Sequence, residues 1–430
     1  MLLRPLLQPL PCRATGQLSS GSRFICIAHR LPFTFPYNTR TTRSGGSRTA
    51  KPLGSCSTPR FVHPHGPISP LSVPDGAFDI LFFGGDEFSC RTLKSLHAAK
   101  DVWNTLHVVT QPDTYKTERG RHLVESPVKL LAAELNLQCH LIPKDKSAMK
   151  EMRFPQPFHR QMHHPSQLLI VSSLGRFIPW KVLKKFHPSR KLNVHPSLIP
   201  KYRGAGPIQW AIADGLEETG VSIIEVEKVG MGYDVGDIWA QKTVPIPPGA
   251  TYPSLMPILA DEGSELLVSV LRNMINGTQS DSIEQDPDQA TEAPAIDAQI
   301  AVIDWWRWNA KKVEQVSRAI MHQKPIYSYV FDHETTLQLF DVSILPKEHH
   351  NLRLTSIGMA ELNWKSEKLE VQCNSDTQVS IGGVKQKNKK LMPAREWWLG
   401  VNEKKKSEGM IQFHMGPWRD ETIHPEFKHS

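Results

Sequence analysis

The sequence predicts an α/β protein in which an open, mostly parallel sheet is followed by a smaller β-barrel. Three observations lead to this prediction. Short apolar runs alternate with helical patterns from about residue 78 to residue 275, a polar and acidic stretch then interrupts them, and alternating apolar and polar residues recur up to about residue 400. The first pattern is typical of parallel sheets covered by helices, and the last is typical of small antiparallel barrels or sandwiches.

The apolar run at 78–84 predicts a buried strand, and the Gly84-Gly85 pair that ends it predicts a tight turn. We reject dinucleotide binding there, because the full G-x-G-x-x-G pattern is absent. The other predicted strands are 106–110, 168–173, 192–195 and 221–226, and the predicted helices are 88–99, 127–135, 208–214 and 251–274. Ligands of open sheets bind beyond the carboxyl ends of the strands, so polar motifs at those ends are the candidate site.

Composition divides the chain into five predicted parts. They are a basic leader at 1–74, a main domain at 75–275, an exposed acidic linker at 276–300, a second domain at 301–400 and a polar tail at 401–430. In the second domain, residues 303–321 predict a helix, and residues 336–342 and 368–373 predict strands.

The positive charge of the chain is concentrated in the leader. Residues 1–74 carry eight Arg, one Lys and no acid, a charge of +9, and subtracting it from the total of +8 leaves −1 for residues 75–430. Such an N-terminus is typical of an organelle transit peptide, so we expect import into the mitochondrial matrix; the alternative is a basic tail that binds another molecule. Any nucleic-acid surface in the remainder must be a local patch.

Composition also argues against two other classes of protein. No apolar run approaches the roughly 20 residues that cross a bilayer. Three of the six Cys lie in the leader and the chain contains no C-x-x-C pair, so neither a disulfide scaffold nor a structural zinc site is expected.

A polar motif begins on the predicted strand at 192–195. Side chains alternate along a strand, so Asn193 and His195 lie on the same face, and a loop rich in Pro and Gly follows to Pro207. An amide can donate to a developing oxyanion, and an imidazole can shuttle a proton. From spacing alone, however, such a pair at a strand end is more often a set of hydrogen-bonded loop formers.

A second motif is the glycine-rich loop at 230–237, which holds Asp234 and Asp237 between two predicted strands. Beside glycines, an Asp is by default a turn residue. Paired with a His, it would instead fix the imidazole tautomer and stabilise the imidazolium.

Residues 193–209 closely resemble the signature loop of the folate-dependent formyltransferases. Tyr233-Asp-Val-Gly-Asp237 resembles the second signature of that family, and three segments resemble its methionyl-tRNA branch: Gln111-Pro-Asp113, Ser126-Pro-Val-Lys-Leu-Leu-Ala132 and Ile303-Asp-Trp305. The resemblance covers about residues 78–398. It implies the formyltransferase fold, with a Rossmann-like main sheet and an OB-like second domain. The chain departs from the family where Gly84-Gly85-Asp86 replaces Gly-Thr-Pro and Lys201-Tyr202 replaces Arg-Trp.

The resemblance implies that Asn193, His195 and Asp234 are catalytic and that 10-formyltetrahydrofolate is the formyl donor, with no metal. The α-amine of methionine on initiator tRNA would attack the formyl carbonyl. Asn193 and His195 would then stabilise the oxyanion, and His195, or a water held by Asp234, would pass the amine proton to N10 of folate.

The resemblance also implies where the substrates bind, and we expect a monomer. Residues expected to hold folate are Ser173, Leu174, Gly175, Arg176, Phe177, Ser197, Leu198, Pro200, Gly232 and Asp234. Residues expected to contact tRNA are Lys116, Arg119, Arg121, Lys201 and Arg203. A run of lysines in the second domain, Lys385, Lys387, Lys389 and Lys390, is either a further tRNA contact or a solubilising surface turn.

Three alternatives remain open at this point. Two keep the donor and change the acceptor, either to another amine such as glycinamide ribonucleotide or to water, as in a formyl-folate hydrolase. The third is a non-catalytic RNA-binding module on the same fold. The second domain, the basic loop after Asp113 and the leader favour tRNA as the acceptor, and the presence of all three catalytic residue types argues against a non-catalytic module.

Overall fold

The computed structural model describes residues 73, 76–116, 122–145, 148–152, 154–158, 162–227, 232–331 and 335–415. The predicted leader lies outside the described residues except for Val73. Within the described part of the chain, no helix has the length and apolar character needed to cross a membrane.

The main domain is built on a seven-stranded sheet. Its strands, together with a small hairpin, are β1 Phe78–Gly84, β2 Trp103–Thr110, β3 Thr114–Lys116, β4 His122–Val124, β5 Gln138–Leu141, β6 Gln167–Ser172, β7 Lys191–His195, β8 Glu218–Glu225 and β9 Ile238–Pro245. The order is β5-β2-β1-β6-β7-β8-β9, and β3 pairs only with β4. The first five strands in this order are parallel, whereas β8 pairs antiparallel with both β7 and β9 at one edge. The predicted mostly parallel sheet is confirmed.

Helices pack against both the main sheet and the barrel. They are α1 Glu87–Ala98, α2 Pro127–Glu134, α3 Trp180–Leu183, α4 Pro207–Ala213, α5 Tyr252–Asn276, α6 Ala310–Ile320 and α7 Ala394–Leu399. Local chemistry explains several boundaries. Asp86 accepts a hydrogen bond from the Ser89 amide at the start of α1, and α5 ends at Gly277, whose φ is 67°.

Both faces of the main sheet are buried, which explains why β1 is apolar throughout rather than alternating. Ile80 and Phe82 point into one core, shared with α1 and α5. Leu81 and Phe83 point into a second core on the opposite face. That second core is completed by Phe154, Phe158, Val182 and Phe186, so the Phe-, His- and Pro-rich segment after residue 148 covers the sheet where no long helix does.

The second domain contains a closed barrel of six antiparallel strands. These are β10 Tyr327–Val330, β11 Thr335–Leu345, β12 Met359–Asn363, β13 Lys368–Cys373, β14 Thr377–Gln386 and β16 Ile411–His414, with β15 Met392–Pro393 added beside β14. The order is β11-β10-β16-β12-β13-β14, and pairing of β14 with β11 closes the ring. The predicted barrel is confirmed.

Two sequence-based boundaries in the second domain are wrong. The helix predicted at 303–321 begins only at Ala310, because Asn309 caps it by accepting from the Lys312 amide, 2.9 Å away. Trp305, which precedes the helix, is instead a buried anchor whose indole donates to the Ser328 hydroxyl. The predicted tail at 401–430 starts too early, since β16 lies between β10 and β12 in the barrel.

Candidate active site

The carboxyl end of β7 carries Asn193 and His195 on one face, opposite Ile224 and Ser222 of β8. His195 is buried, with 4% of its surface exposed. Strand β8 holds the loop that follows β7. The Ser222 hydroxyl of β8 donates to the Ser197 carbonyl (2.6 Å) and accepts from the Ile199 amide (3.2 Å). The strand end and the first turn of the loop therefore form one rigid platform.

Asp234, from the loop between β8 and β9, reaches both residues of this platform. Its Oδ1 accepts from the Asn193 amide at 3.2 Å, and its Oδ2 accepts from the Gly204 backbone N–H at 2.9 Å. The same Oδ2 lies 3.6 Å from Nδ1 of His195. An amide and an imidazole from strand β7 and a carboxylate from the loop between β8 and β9 thus converge at the carboxyl end of the parallel strands.

The orientation of the imidazole follows from its second contact. His195 Nε2 lies 3.0 Å from the Tyr202 carbonyl oxygen, which can only accept, so Nε2 carries a proton. Nδ1 faces Asp234 at a distance too long for a strong hydrogen bond. Nδ1 is therefore the ring nitrogen left for a reacting group, with a carboxylate beside it to stabilise a positive charge on the ring.

The loop after β6, predicted to hold folate, lies on the other side of β7. Ser173 is exposed and its hydroxyl donates to the Asp86 carboxylate. Leu174 is buried, and its carbonyl accepts from the Gln111 side chain at 2.5 Å. Arg176 donates to the carbonyls of residues 143 and 144, so this guanidinium anchors the loop.

Two exposed aromatic rings join this loop to the Asp234 loop. Phe177 and Tyr233 stack with their centroids 5.2 Å apart and their planes 18° apart, although each is more than half exposed. Gly175 and Gly232 adopt positive φ values of 69° and 119°, so backbone rather than side chain lines this region. Flat aromatic surface beside open backbone edges suits a conjugated ligand such as a pterin.

Three other residues predicted to bind folate have partners inside the protein. The Ser197 hydroxyl donates to the Lys201 carbonyl at 2.7 Å, and the Pro200 carbonyl accepts from the Thr291 amide at 3.2 Å. The side chain of Leu198 packs against Gly220, where an added Cβ would lie 2.4 Å from it. Contact of these residues with a ligand stays a prediction.

The residues predicted to contact tRNA are only partly described. Lys116 ends β3, and nothing is described of its side chain, while Arg119 and Arg121 lie outside the described residues. Lys201 is exposed beside the site. Arg203 is half-buried, and its Nε and Nη2 donate to the Gln285 side chain at 2.9 and 2.5 Å. In the barrel, all four lysines of the run are exposed: Lys385, Lys387, Lys389 and Lys390.

The acidic stretch after α5 was predicted to be an exposed linker, and most of its residues are exposed, but from 283 to 294 it also pairs with the main domain, which was not predicted. We call residues 283–294 the strap. Ile283 pairs with Ile238 at the start of β9, and the strap then runs beside Arg203. Gln285 and Ala293 are buried. The sequence carried no signal for this packing, because two glutamines among acids form neither a period nor a motif.

A second carboxyl lies near β7 but outside the site. Glu225 of β8 is the cross-strand partner of Leu192, so its side chain projects away from the face that carries Asn193. It is buried and accepts from the indole of Trp239 at 3.1 Å. Burial, and secondarily the charge of Asp237, raises the pKa of Glu225 to about 7.

Comparison with known proteins is consistent with this geometry. The formyl transferase model matches residues 79–271, and the model of the formyl transferase C-terminal domain matches residues 295–402. Similar curated proteins include the methionyl-tRNA formyltransferase of Syntrophomonas wolfei, which is 32% identical over 58% of this chain and 75% of that protein. The methionyl-tRNA formyltransferase of Lactiplantibacillus plantarum is 30% identical over 76% of this chain and 96% of that protein.

Two further likenesses were found. The mitochondrial methionyl-tRNA formyltransferase of Bos taurus is 29% identical over 75% of this chain and 77% of that protein. The crystal structure of a sugar 3N-formyl transferase, solved with dTDP and 5-N-formyl-THF, covers 73% of this chain and 99% of its own, with a TM-score of 0.50 and 14% identity. The second likeness concerns the fold alone.

Proposed function

The chain belongs to the methionyl-tRNA formyltransferases of the formyl transferase family, and we propose that its donor is 10-formyltetrahydrofolate and its acceptor the α-amine of methionine on initiator tRNA. The observation that carries this proposal is the convergence of Asn193, His195 and Asp234 at the sheet end. The family supplies the reaction class, and the three side chains supply the groups that formyl transfer requires.

The donor supplies an electrophilic formyl carbon attached to N10 of a folate. The exposed Phe177–Tyr233 stack and the backbone edges at Gly175 and Gly232 would hold its flat ring system. Both loops border β7, so a formyl group directed toward that strand meets Asn193 and His195.

The three side chains divide the chemistry of transfer. The amine nitrogen bonds to the formyl carbon, and the carbonyl electron pair moves to its oxygen. Asn193 and the Nδ1–H of protonated His195 donate to that oxyanion, and loss of one such donor costs roughly 3–4 kcal/mol in comparable sites. When the oxyanion collapses, the bond to N10 breaks; protonated His195, or a water held by Asp234, gives a proton to N10 and then takes up the proton that the amine loses. The products are formylmethionyl-tRNA and tetrahydrofolate.

Lys and Arg side chains on both domains would contact the phosphates of the tRNA. Lys201 is exposed at the site, and Lys116, Arg119 and Arg121 belong to the basic stretch after Asp113. The barrel contributes its exposed lysine run, and Lys312 of α6 fixes the barrel domain to α4 by bonding to the Ala213 carbonyl (2.7 Å) and the Asp214 carboxylate (2.8 Å). A monomer with the domains fixed in this way could contact a long substrate at two places.

We place this activity in the mitochondrial matrix, where it would serve translation initiation. The +9 charge of the acid-free leader supports this location, and so does the similarity to the mitochondrial enzyme of Bos taurus. A fusion of residues 1–74 to a fluorescent protein should enter mitochondria, and retention of the fusion in the cytosol would contradict the location without touching the chemistry.

The acceptor is tested by offering the purified full chain a donor labelled in its formyl group. We expect label on Met-tRNA and none on acetyl-Met-tRNA, the matched control whose α-amine is blocked. Label on glycinamide ribonucleotide alone would overturn the tRNA assignment, and release of free formate without labelled acceptor would identify a hydrolase instead.

A further inference from the structure

The side chain of Gln285 is held by four hydrogen bonds and contacts both active-site loops. Its Nε2 donates to the carbonyl of Asp234 at 2.8 Å and to the carbonyl of Gly236 at 2.6 Å. Its Oε1 accepts from Nε and Nη2 of Arg203 at 2.9 and 2.5 Å. A primary amide has two donors and two acceptor lone pairs, so this one is saturated inside the protein.

The strap delivers Gln285 to this position because it is paired at both ends. At one end, Ile283 and Ile238 exchange two backbone hydrogen bonds of 2.9 and 2.8 Å. At the other, the Arg203 amide donates to the Thr291 carbonyl (2.8 Å), and the Ala293 amide donates to the Arg203 carbonyl (2.6 Å). A segment fixed at two points has little freedom, so the amide between them is presented in one orientation.

Asp234 needs such support, because its backbone is in the left-handed region with φ of 51°. A non-glycine residue is strained in this region and stays there only where the surroundings impose it. Gln285 bonds to the carbonyl of this residue and to the carbonyl two residues later, so it fixes the backbone that aims the carboxylate. The carboxylate itself is held from the opposite side by the Gly204 amide.

These contacts form a closed ring. It runs from the Asp234 carboxylate to the Gly204 amide, through the peptide bond to Arg203, across to Gln285 and back to the Asp234 carbonyl. His195 faces the carboxylate from outside the ring, at 3.6 Å. Movement at any point of the ring therefore changes the distance between the carboxylate and the imidazole.

We propose that Gln285 is a positioning residue for the reaction, which sets the Asp234 carboxylate against His195 by tying the Asp234 loop to Arg203 of the signature loop. The proposal rests on the proposed function of the site, and it assigns a role to a residue in the stretch that reads as a linker. Arg203 then acts through Gln285, in addition to any contact with tRNA.

The Gln285→Glu substitution removes the hydrogen bonds of Gln285 to the Asp234 loop and keeps its contact with Arg203. It keeps the size of the side chain and its acceptor toward Arg203, but it removes both donors and faces two carbonyl oxygens with a charge. A misplacement near 1 Å lowers rates by up to about 10²-fold, so we expect kcat to fall roughly 10- to 100-fold while KM for Met-tRNA stays within about twofold. Unchanged kcat with a raised KM would overturn the proposal, because Gln285 would then serve binding.

A double-mutant cycle with Asp234→Asn distinguishes positioning from general support of the fold. If Gln285 acts through the Asp234 carboxylate, Gln285→Glu should lower kcat by no more than about twofold once that carboxylate is absent. An equal fold-loss in both backgrounds would overturn the proposal. Should the glutamate variant fail to fold, Gln285→Ala, which introduces no charge, enters the same cycle under the same two criteria.

The strap offers a matched control in Gln289. This residue is exposed, and its amide donates to the Asp286 carboxylate within the strap. Gln289→Ala should leave kcat and KM unchanged, and a loss equal to that of Gln285→Ala would show that any disturbance of the strap has the same effect, which would also overturn the proposal.

A readout without substrates keeps this proposal separate from the proposed function. In protein labelled with ¹⁵N-histidine, with the His195 signals identified from a His195→Gln variant, Gln285→Glu should shift the Nδ1 signal of His195 and Gln289→Ala should not. A wild-type protein that leaves Met-tRNA unformylated would refute the function alone, whereas an unmoved His195 signal in Gln285→Glu would refute the role of Gln285 alone.

Discussion

Two segments cross at the site, the signature loop of residues 193–209 and the strap of residues 283–294, and only the first could be recognised from its sequence. The loop presents an amide and an imidazole, and formyl transfer admits few substitutes for either. The strap works mainly through backbone pairing at Ile283, Thr291 and Ala293, which many side chains would permit. Chemistry thus restricts several residue types in the signature loop, whereas in the strap it restricts Gln285 and otherwise only the path of the chain.

The largest effect should come from the signature loop. His195→Ala removes the Nδ1 that faces Asp234, and we expect kcat to fall by roughly 10³-fold, while binding of the folate donor, measured by calorimetry, changes little. His349→Ala, an exposed histidine of the barrel domain, is the matched control and should be silent. If His195→Ala retained full turnover, His195 would have no catalytic role. The signature loop would then not differ from the strap in supplying reacting groups.

An intermediate effect is expected where the two segments touch. Gly204 has φ of 115°, and an added Cβ would lie 2.8 Å from the Ala293 carbonyl oxygen of the strap. Gly204→Ala should therefore push the strap away and move the amide that holds Asp234. We expect a loss of about 1–3 kcal/mol in the free energy of unfolding, measured with urea, and a roughly tenfold lower kcat.

Gly249→Ala is the control for that substitution. Its φ of 72° is also positive, although it is closer to the left-handed values that alanine can adopt, and nothing lies within 4 Å of the added Cβ. It should lower stability without lowering kcat. Equal losses of activity in the two variants would mean that strain alone, rather than contact between loop and strap, explains the result at Gly204.

The sequence predicted the features that are marked by residue type and missed those that depend on the path of the chain. The ends of β1, β6 and β7 were predicted to within one residue from apolar runs, because a strand that is buried on both faces is apolar throughout. The convergence of Asp234 with Asn193 was expected because the two motifs that carry these residues resemble the signatures of the folate-dependent formyltransferases. The same reasoning missed β16, whose Ile411 and Phe413 are too few to form a recognisable period.

The contacts that depend on long-range pairing could not be predicted. The Tyr202 carbonyl that orients His195 is a backbone atom, and no residue type marks it. Gln285 lies 51 residues from Asp234 along the chain, so only the fold brings them together. The acids around Gln285 suggested solvent exposure, and most of them are exposed, but that composition concealed the single buried amide among them.

The smallest effect should come from Glu225, which lies beside β7 but belongs to neither segment. Its pKa is raised by burial from 4.5 to about 7, so between these values the folded chain holds a proton that the unfolded chain releases. The stability that this proton provides is full below pH 4.5 and is lost as the pH rises through about 7. Glu225→Gln keeps an acceptor for Trp239 and cannot ionise.

The free energy of unfolding of Glu225→Gln relative to wild type should therefore be more favourable at pH 8 than at pH 5, by about 1–3 kcal/mol in urea titrations. Glu218→Gln, on the exposed end of the same strand, should show the same difference from wild type at both pH values. Because Glu225 projects away from Asn193, kcat at pH 8 should change little. A large loss of activity in Glu225→Gln would mean that the back of β7 contributes to the chemistry, and the site would then extend beyond the loop and the strap.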